Sequence, residues 1–165
     1  MDDLGARLAR ALGGRSAAVV GVGNRLRGDD AAGSRLAACL LAAGAAGVHD
    51  AETVPENYLG PLLAARPDVV LFADAADHGA APGSVCLVRA GELAARGSST
   101  HAPSLRLLAG LLEAQGSECW VLGIQPAATG FGEELSPPVA AAVVGAAGAL
   151  AALLGAARPA EAGRA

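Results

Sequence analysis

The chain has 165 residues, of which 53% are hydrophobic and only 2% aromatic, and its formal net charge is −4. That is a globular composition of a length that suits one domain, which excludes a disordered chain. No basic cluster interleaves with aromatic residues, so nucleic acid is not an expected partner.

With so few aromatic rings, the core must be built from Ala, Val and Leu, and 23 Gly residues let elements approach closely. The opening MDDLGARLAR is acidic and lacks the apolar stretch of a signal peptide. Residues 2–13 instead predict a short amphipathic helix. Ser16–Gly23 is an apolar run bounded by glycines and reads as a buried parallel strand. A helix over Asp30–Ala43 and a strand over Val48–Thr53 follow. Pro55–Ala65 reads as helical, with proline in the first turn. Asp68–Ala75 is a second continuous apolar strand, His78–Gly83 a loop and Ser84–Arg89 a further strand. A helical turn and a Ser-rich loop fill Gly91–Ser99. Pro103–Gln115 is a helix, Glu118–Gln125 the last strand and Ala127–Pro138 a loop. Residues 139–157 are uncharged and long enough to cross a bilayer. They are mostly alanine, however, and read as a helix buried against the sheet, with no membrane association expected.

Strands alternate with helices throughout. The expectation is a three-layer αβα fold around a twisted, mainly parallel sheet of about five strands. One domain over 1–155 is expected, with a polar, disordered tail over 156–165. Cys39, Cys86 and Cys119 are widely spaced and form no CxxC pair. A disulfide framework is not expected, a reducing cytoplasm fits, and each cysteine reads as a packing residue.

The stretch VVGVGNRLRGDD ends a strand in a glycine turn and then places two carboxylates, Asp29 and Asp30, at a helix start. A dinucleotide fingerprint would need glycine where Leu26 stands, and no P-loop lysine follows. A phosphate at this turn would also meet both acids, so a nucleotide-binding α/β domain is the weaker alternative. The simplest role for the pair is helical: Asp29 caps the helix and Asp30 sits in its first turn. Asp74 adds chemistry, because it ends the buried run VVLFAD, as the acid pair follows VVGVGN. Carboxyl ends of parallel strands are where ligands bind, and a charge there must be paired, hydrogen-bonded or metal-bound. Asp77 reads as part of an exposed turn.

His101 lies in SSTHAPS, just before a helix. Two carboxylates and an imidazole suit a divalent transition metal with coordination positions left open. His49, within a strand, and His78, in a glycine-rich turn, are weaker candidates. The spacing leaves open which of Asp29 and Asp30 is the ligand. There is no GxSxG elbow, and the nearness in sequence of Ser98 and Ser99 to His101 is poor grounds for a dyad. Hydrolysis would then rest on a metal-activated water or a metal-polarised carbonyl.

Five stretches in order, GVGNRLRGDDAAG, VPEN at 54–57, LFADAAD followed by APG, THAPS, and LGIQP with FGEELSPPV, resemble the hydrogenase maturation peptidases over residues 17–155. The resemblance implies a twisted sheet with helices on both faces. It also implies an endopeptidase that removes the C-terminal extension of a [NiFe]-hydrogenase large-subunit precursor after nickel insertion. The metal contacts it implies fall on Asp30, Asp74 and His101, with the nickel carried by the substrate. A non-catalytic, metal-dependent chaperone of hydrogenase assembly is the alternative within the same resemblance. THAPS and VPEN lean toward the branch serving formate-hydrogenlyase-type hydrogenases. Ala31 stands where many relatives have glycine, leaving Gly33 to permit close packing, and residues 1–15 extend beyond the usual start. Asn57 and Gln125 are expected to hydrogen-bond a peptide in the cleft.

Overall fold

The computed structural model describes residues 3–155; the tail expected over 156–165 lies outside them. Five strands form, β1 (Ala17–Val22), β2 (Val48–Glu52), β3 (Val69–Ala75), β4 (Val85–Arg89) and β5 (Glu118–Ile124). They make one sheet in the order β2-β1-β3-β5-β4. All pairs are parallel except β4 with β5, which is antiparallel at the edge. Strand β3 is buried along its whole length and β1 along nearly all of it, which is why both read as unbroken apolar runs.

The helices are α1 (Leu4–Leu12), α2 (Ala32–Ala42), α3 (Leu59–Ala65), α4 (Leu93–Arg96), α5 (Ala102–Ala114) and α6 (Pro137–Leu154). On one face of the sheet, Leu8 of α1, Leu36 and Leu40 of α2 and Val143 and Leu150 of α6 pack against Val19, Leu71 and Leu122. On the other, Leu62 of α3, Leu93 of α4 and Leu105, Leu108 and Leu112 of α5 pack against Val20, Val70, Phe72 and Val121. Neighbouring strand residues such as Val19 and Val20 go to opposite faces, as the two-residue period of a strand requires. The three-layer αβα expectation is met.

Helix α2 crosses from β1 to β2 on one face, and α3 leads from β2 to β3 on the other. Strand order therefore reverses between β1 and β3, and a crevice opens at their carboxyl ends. Helix α2 starts directly on that crevice floor. A Cβ at Gly33 would lie 1.9 Å from the Ala73 carbonyl oxygen and 2.4 Å from that of Val22. Gly33 thus supplies the close approach expected of it, and Ala31, fully buried, does not obstruct it.

Three details differ from the sequence reading. The helix expected from Asp30 begins as a 3-10 turn over Gly28–Ala31 before α2. Cys39 is exposed on the solvent side of α2, between the inward Leu36 and Leu40, and so is not a packing residue. Helix α6 covers the sheet with Val139, Val143, Ala146, Ala147 and Leu150, but its other face, including Val144 and Leu153, is exposed. By length and composition alone α6 would also suit a membrane span.

Candidate functional site

Asp29 and Asp30 are adjacent in a tight turn, and their side chains serve different ends. Asp29 does not cap a helix. Its carboxylate accepts hydrogen bonds from the backbone N–H of Ala127 (2.8 Å), Ala128 (3.1 Å) and Ser136 (2.7 Å), and from the Ser136 hydroxyl (2.8 Å). The connection from β5 to α6 thus closes over the turn and supplies the donors, which a local reading of the sequence does not show. Burial acts to raise the Asp29 pKa, but the bonds from Ser136, Ala128 and Ala127 outweigh it and hold the carboxyl below its ordinary value.

Asp30 faces the crevice. Its Oδ2 accepts from the Asn24 backbone N–H (3.1 Å), and its Oδ1 from the Thr100 hydroxyl (3.4 Å). The turn that presents the Asn24 N–H is shaped by Asn24 itself, whose side-chain oxygen accepts from the Leu26 N–H (2.9 Å). Arg25 braces the same turn from outside, donating to Ser34 and pairing with Asp50.

This geometry also disposes of the phosphate reading. The backbone N–H groups of Gly23, Arg27, Gly28, Asp29 and Asp30 go to the carbonyls of Glu52, Asn24, Gly132, Ala128 and Arg27. Those of Asn24 and Leu26 go to side-chain oxygens. A phosphate cradle needs such donors free. The glycines serve packing instead: a Cβ at Gly23 would lie 2.1 Å from the Asp30 carbonyl oxygen.

Asp74 closes β3 on the neighbouring strand and is fully buried. Its Oδ1 accepts from the Ala75 N–H (2.9 Å) and lies 3.3 Å from His101 Nδ1, while its Oδ2 accepts from the Ser99 hydroxyl. His101 stands at the N-terminus of α5, and its backbone N–H donates back to Ser99 Oγ (3.0 Å). The loop before His101 is tied to the segment just past β3, where Asp77 and Ser98 exchange both backbone bonds (2.8 and 2.9 Å).

Burial pushes the Asp74 carboxyl up, against the pull of His101. The hydrogen bond to Asp74 raises the His101 imidazole, against its own burial, with smaller contributions from the charges of Asp30 and Glu56. The structure therefore brings Asp30, Asp74 and His101 to one rim, where their charges interact. Among the described residues, no three His, Cys, Asp or Glu side chains stand close enough to form a ready-made metal cage. Asp74 has its bonds directed into the protein. The donor chemistry of the three, two carboxylates and an imidazole, suits a borderline divalent ion such as nickel.

The other candidates fall elsewhere. His49 packs its ring on Tyr58, 5.2 Å between centroids, and His78 Nε2 lies 3.4 Å from the Ser84 carbonyl oxygen. The Gln125 amide is spent within its own loop, accepting from the His78 and Ala80 N–H groups and donating to Asp77. It is not available to a peptide, because the turn after β3 folds back onto it. Asn57 is exposed on the 3-10 turn before α3. Its neighbour Glu56, bonded by the Ser104 side chain, is near enough to His101 for their charges to interact. Glu56 and Thr100 have no site role in the sequence reading, and Ser99 enters it only as a poor dyad candidate. The sequence signal for two of them is SST directly before His101, where a hydroxyl can turn back on the chain.

A family model described as HycI, hydrogenase maturation protease, matches residues 32–152. The chain is 35% identical over 125 residues to the hydrogenase 3 maturation protease of Escherichia coli K12, covering 74% of this chain and 80% of that protein. Its fold resembles the crystal structure of the [NiFe] hydrogenase maturation protease HycI from Thermococcus kodakarensis, with a TM-score of 0.79 and 30% identity. That match covers 90% of this chain and 98% of the other. It also resembles the hydrogenase maturating endopeptidase HybD of E. coli, with a TM-score of 0.68 and 26% identity over 84% of this chain and 91% of that one.

Proposed function

The chain belongs to the hydrogenase maturation protease family, and from that premise we propose that it removes the C-terminal extension of a [NiFe]-hydrogenase large-subunit precursor once nickel is in place. Asp30, Asp74 and His101 form the site that recognises the nickel the precursor carries. The observation that supports this reading is their gathering at the crevice between β1 and β3, where a doubly wound sheet binds its ligands.

The precursor's own ligands hold the nickel and leave coordination positions open. Asp30 reaches that position from the turn and His101 from the β3 side, with Asp74 set behind the imidazole. Together they place the metal-bound segment so that the bond to be cut lies beside the ion, which polarises the carbonyl or the attacking water. An unloaded precursor offers no cation, and the two carboxylates then repel rather than bind. The peptidase would so act as a checkpoint for nickel insertion. The free Cys39, Cys86 and Cys119 suit a reducing compartment, and we place the reaction in the cytoplasm.

The test is incubation of purified protein with nickel-loaded precursor, followed by mass spectrometry. Loss of a C-terminal peptide is expected from wild type, and a rate lower by about 100-fold or more from Asp30→Ala or His101→Ala, both still folded. An intact precursor in stable complex with wild type would instead favour the non-catalytic chaperone. Normal trimming by both variants would overturn the assigned ligands.

A further inference from the structure

On the β3 side of the rim, Asp74 and His101 touch directly at 3.3 Å, and one hydroxyl bonds to both of them. Ser99 Oγ donates to Asp74 Oδ2 and accepts from the His101 backbone N–H (3.0 Å). Its carbonyl accepts from the Ala102 N–H (3.2 Å), fixing the entry into α5. The next residue, Thr100, places its hydroxyl 3.4 Å from Asp30 Oδ1. Ser99 itself is anchored, because its neighbour Ser98 is paired on both sides with Asp77.

From this arrangement, and resting on the function proposed above, we infer that Ser99 is a positioning residue for the metal-recognising pair Asp74 and His101. With Oδ2 held by Ser99, the Asp74 carboxylate has a single rotational setting, in which Oδ1 meets His101 Nδ1 at 3.3 Å. That contact puts the ring proton on Nδ1 and leaves Nε2, which bonds to nothing in the protein among the described residues, as the lone-pair nitrogen for a metal. Carboxylates that orient a ligating imidazole in this way act through tautomer and ring direction. Here the orienting carboxylate needs an orienter of its own. Asp74 sits at the end of a buried strand and would otherwise turn about its side-chain torsions. The bond to the Ala75 N–H alone restrains Oδ1 and leaves Oδ2 unpaired in the interior.

The hydroxyl is the operative group, so its loss is judged at matched volume, Ser99→Val against Ser99→Thr. Full-length Ser99→Ala, Ser99→Thr and Ser99→Val are compared with wild type; Ser99 is only half-buried, which leaves room for the extra methyl. The first readout needs no metal and no substrate: 15N chemical shifts of the His101 ring at one fixed alkaline pH, where the ring is neutral. Wild type and Ser99→Thr should show a single tautomer protonated on Nδ1, and Ser99→Ala and Ser99→Val an averaged mixture. The second readout is trimming of nickel-loaded precursor. Loss of the hydroxyl should lower kcat by about 10-fold or more with KM within a factor of about two, and Ser99→Thr should recover most of it. Unchanged ring shifts in Ser99→Ala and Ser99→Val, or Ser99→Thr as impaired as Ser99→Val, would overturn the assignment. If the nickel reading is wrong instead, Asp30→Ala and His101→Ala trim normally while the ring shifts still respond to loss of the Ser99 hydroxyl.

Discussion

The rim has two halves, and they are built differently. On the β1 side the acid turn is fixed by the main chain: Asp29 takes three of its four bonds from backbone N–H groups, and Asp30 one of its two. The helix behind it sits against β1 and β3 with no room for a side chain at Gly33. On the β3 side Asp74, Ser99 and His101 hold one another mostly through side chains. Main-chain donors cannot be substituted away and have fixed positions, so the first half behaves as part of the scaffold. Side-chain networks respond to single changes and to protonation, so the second half is the adjustable one.

The harshest test of that contrast is Gly33→Ala. Its new methyl would meet two carbonyl oxygens well inside contact distance, and the helix that carries the acid turn would have to retreat. A loss of more than about 3 kcal/mol is expected, read by chemical denaturation, with trimming lost because Asp30 moves with the helix. A loss below about 1 kcal/mol would mean that the β1 half is more pliant than its packing implies.

Next is Asp29→Ala. It strands the N–H groups of Ala127, Ala128 and Ser136 together and should destabilise by about 3 kcal/mol. Asp29→Asn should lose less, since it keeps one acceptor oxygen. The pH dependence follows from the lowered Asp29 pKa. A depressed carboxyl contributes stability that is present above its unfolded pKa and lost as pH falls through the folded value. The gap between wild type and Asp29→Asn should therefore close on acidification. A gap that widens toward low pH would contradict the clasp.

The smallest effect belongs to the adjustable half. The folded pKa of His101 is raised by its bond to Asp74. Stability from this pair is fully present below the ordinary imidazole pKa of about 6.5 and is lost as pH rises through the raised folded value. Burial raises Asp74 as well, and a raised carboxyl has the same sign. Thermal melts of wild type and His101→Gln should differ most at mildly acid pH and converge by a few degrees toward alkaline pH. Divergence in that direction would show that His101 is held as a neutral ring by packing alone.

Much of this was legible in the chain. The continuous runs VVGV and VVLFADA announced strands buried on both faces, and their order with the intervening helices gave the sheet type. Asp74 was legible because a carboxylate ending such a run needs a partner, whereas the role of Gly33 comes only through the family resemblance, in which Ala31 replaces the usual glycine. Other features depend on pairings across long sequence separations. The clasp on Asp29 joins residues 107 apart, and a local reading assigns the side chain to its own helix instead. Gln125 looked free for the same reason: the turn that occupies it lies more than 40 residues earlier. Ser99 is visible in SSTHAPS, but nearness to His101 in sequence suggests only a weak dyad, whereas its bonds run to Asp74 and to the backbone of His101. The face of Cys39 was lost to a shift of one position between an inward and an outward helix residue.

The Asp29 clasp bears on attempts to move this chemistry to another protein. In a 3-10 turn successive side chains diverge by about 120°, so one member of the doublet reaches the crevice only while its neighbour turns away from it. Copying the glycine turn and both aspartates onto a foreign parallel sheet would leave the first of them reaching for residues that the recipient lacks. The smallest transferable unit is therefore discontinuous: it includes the segment from Ala127 to Ser136, and a graft without it should tilt Asp30 off target even when every residue of the visible motif is present.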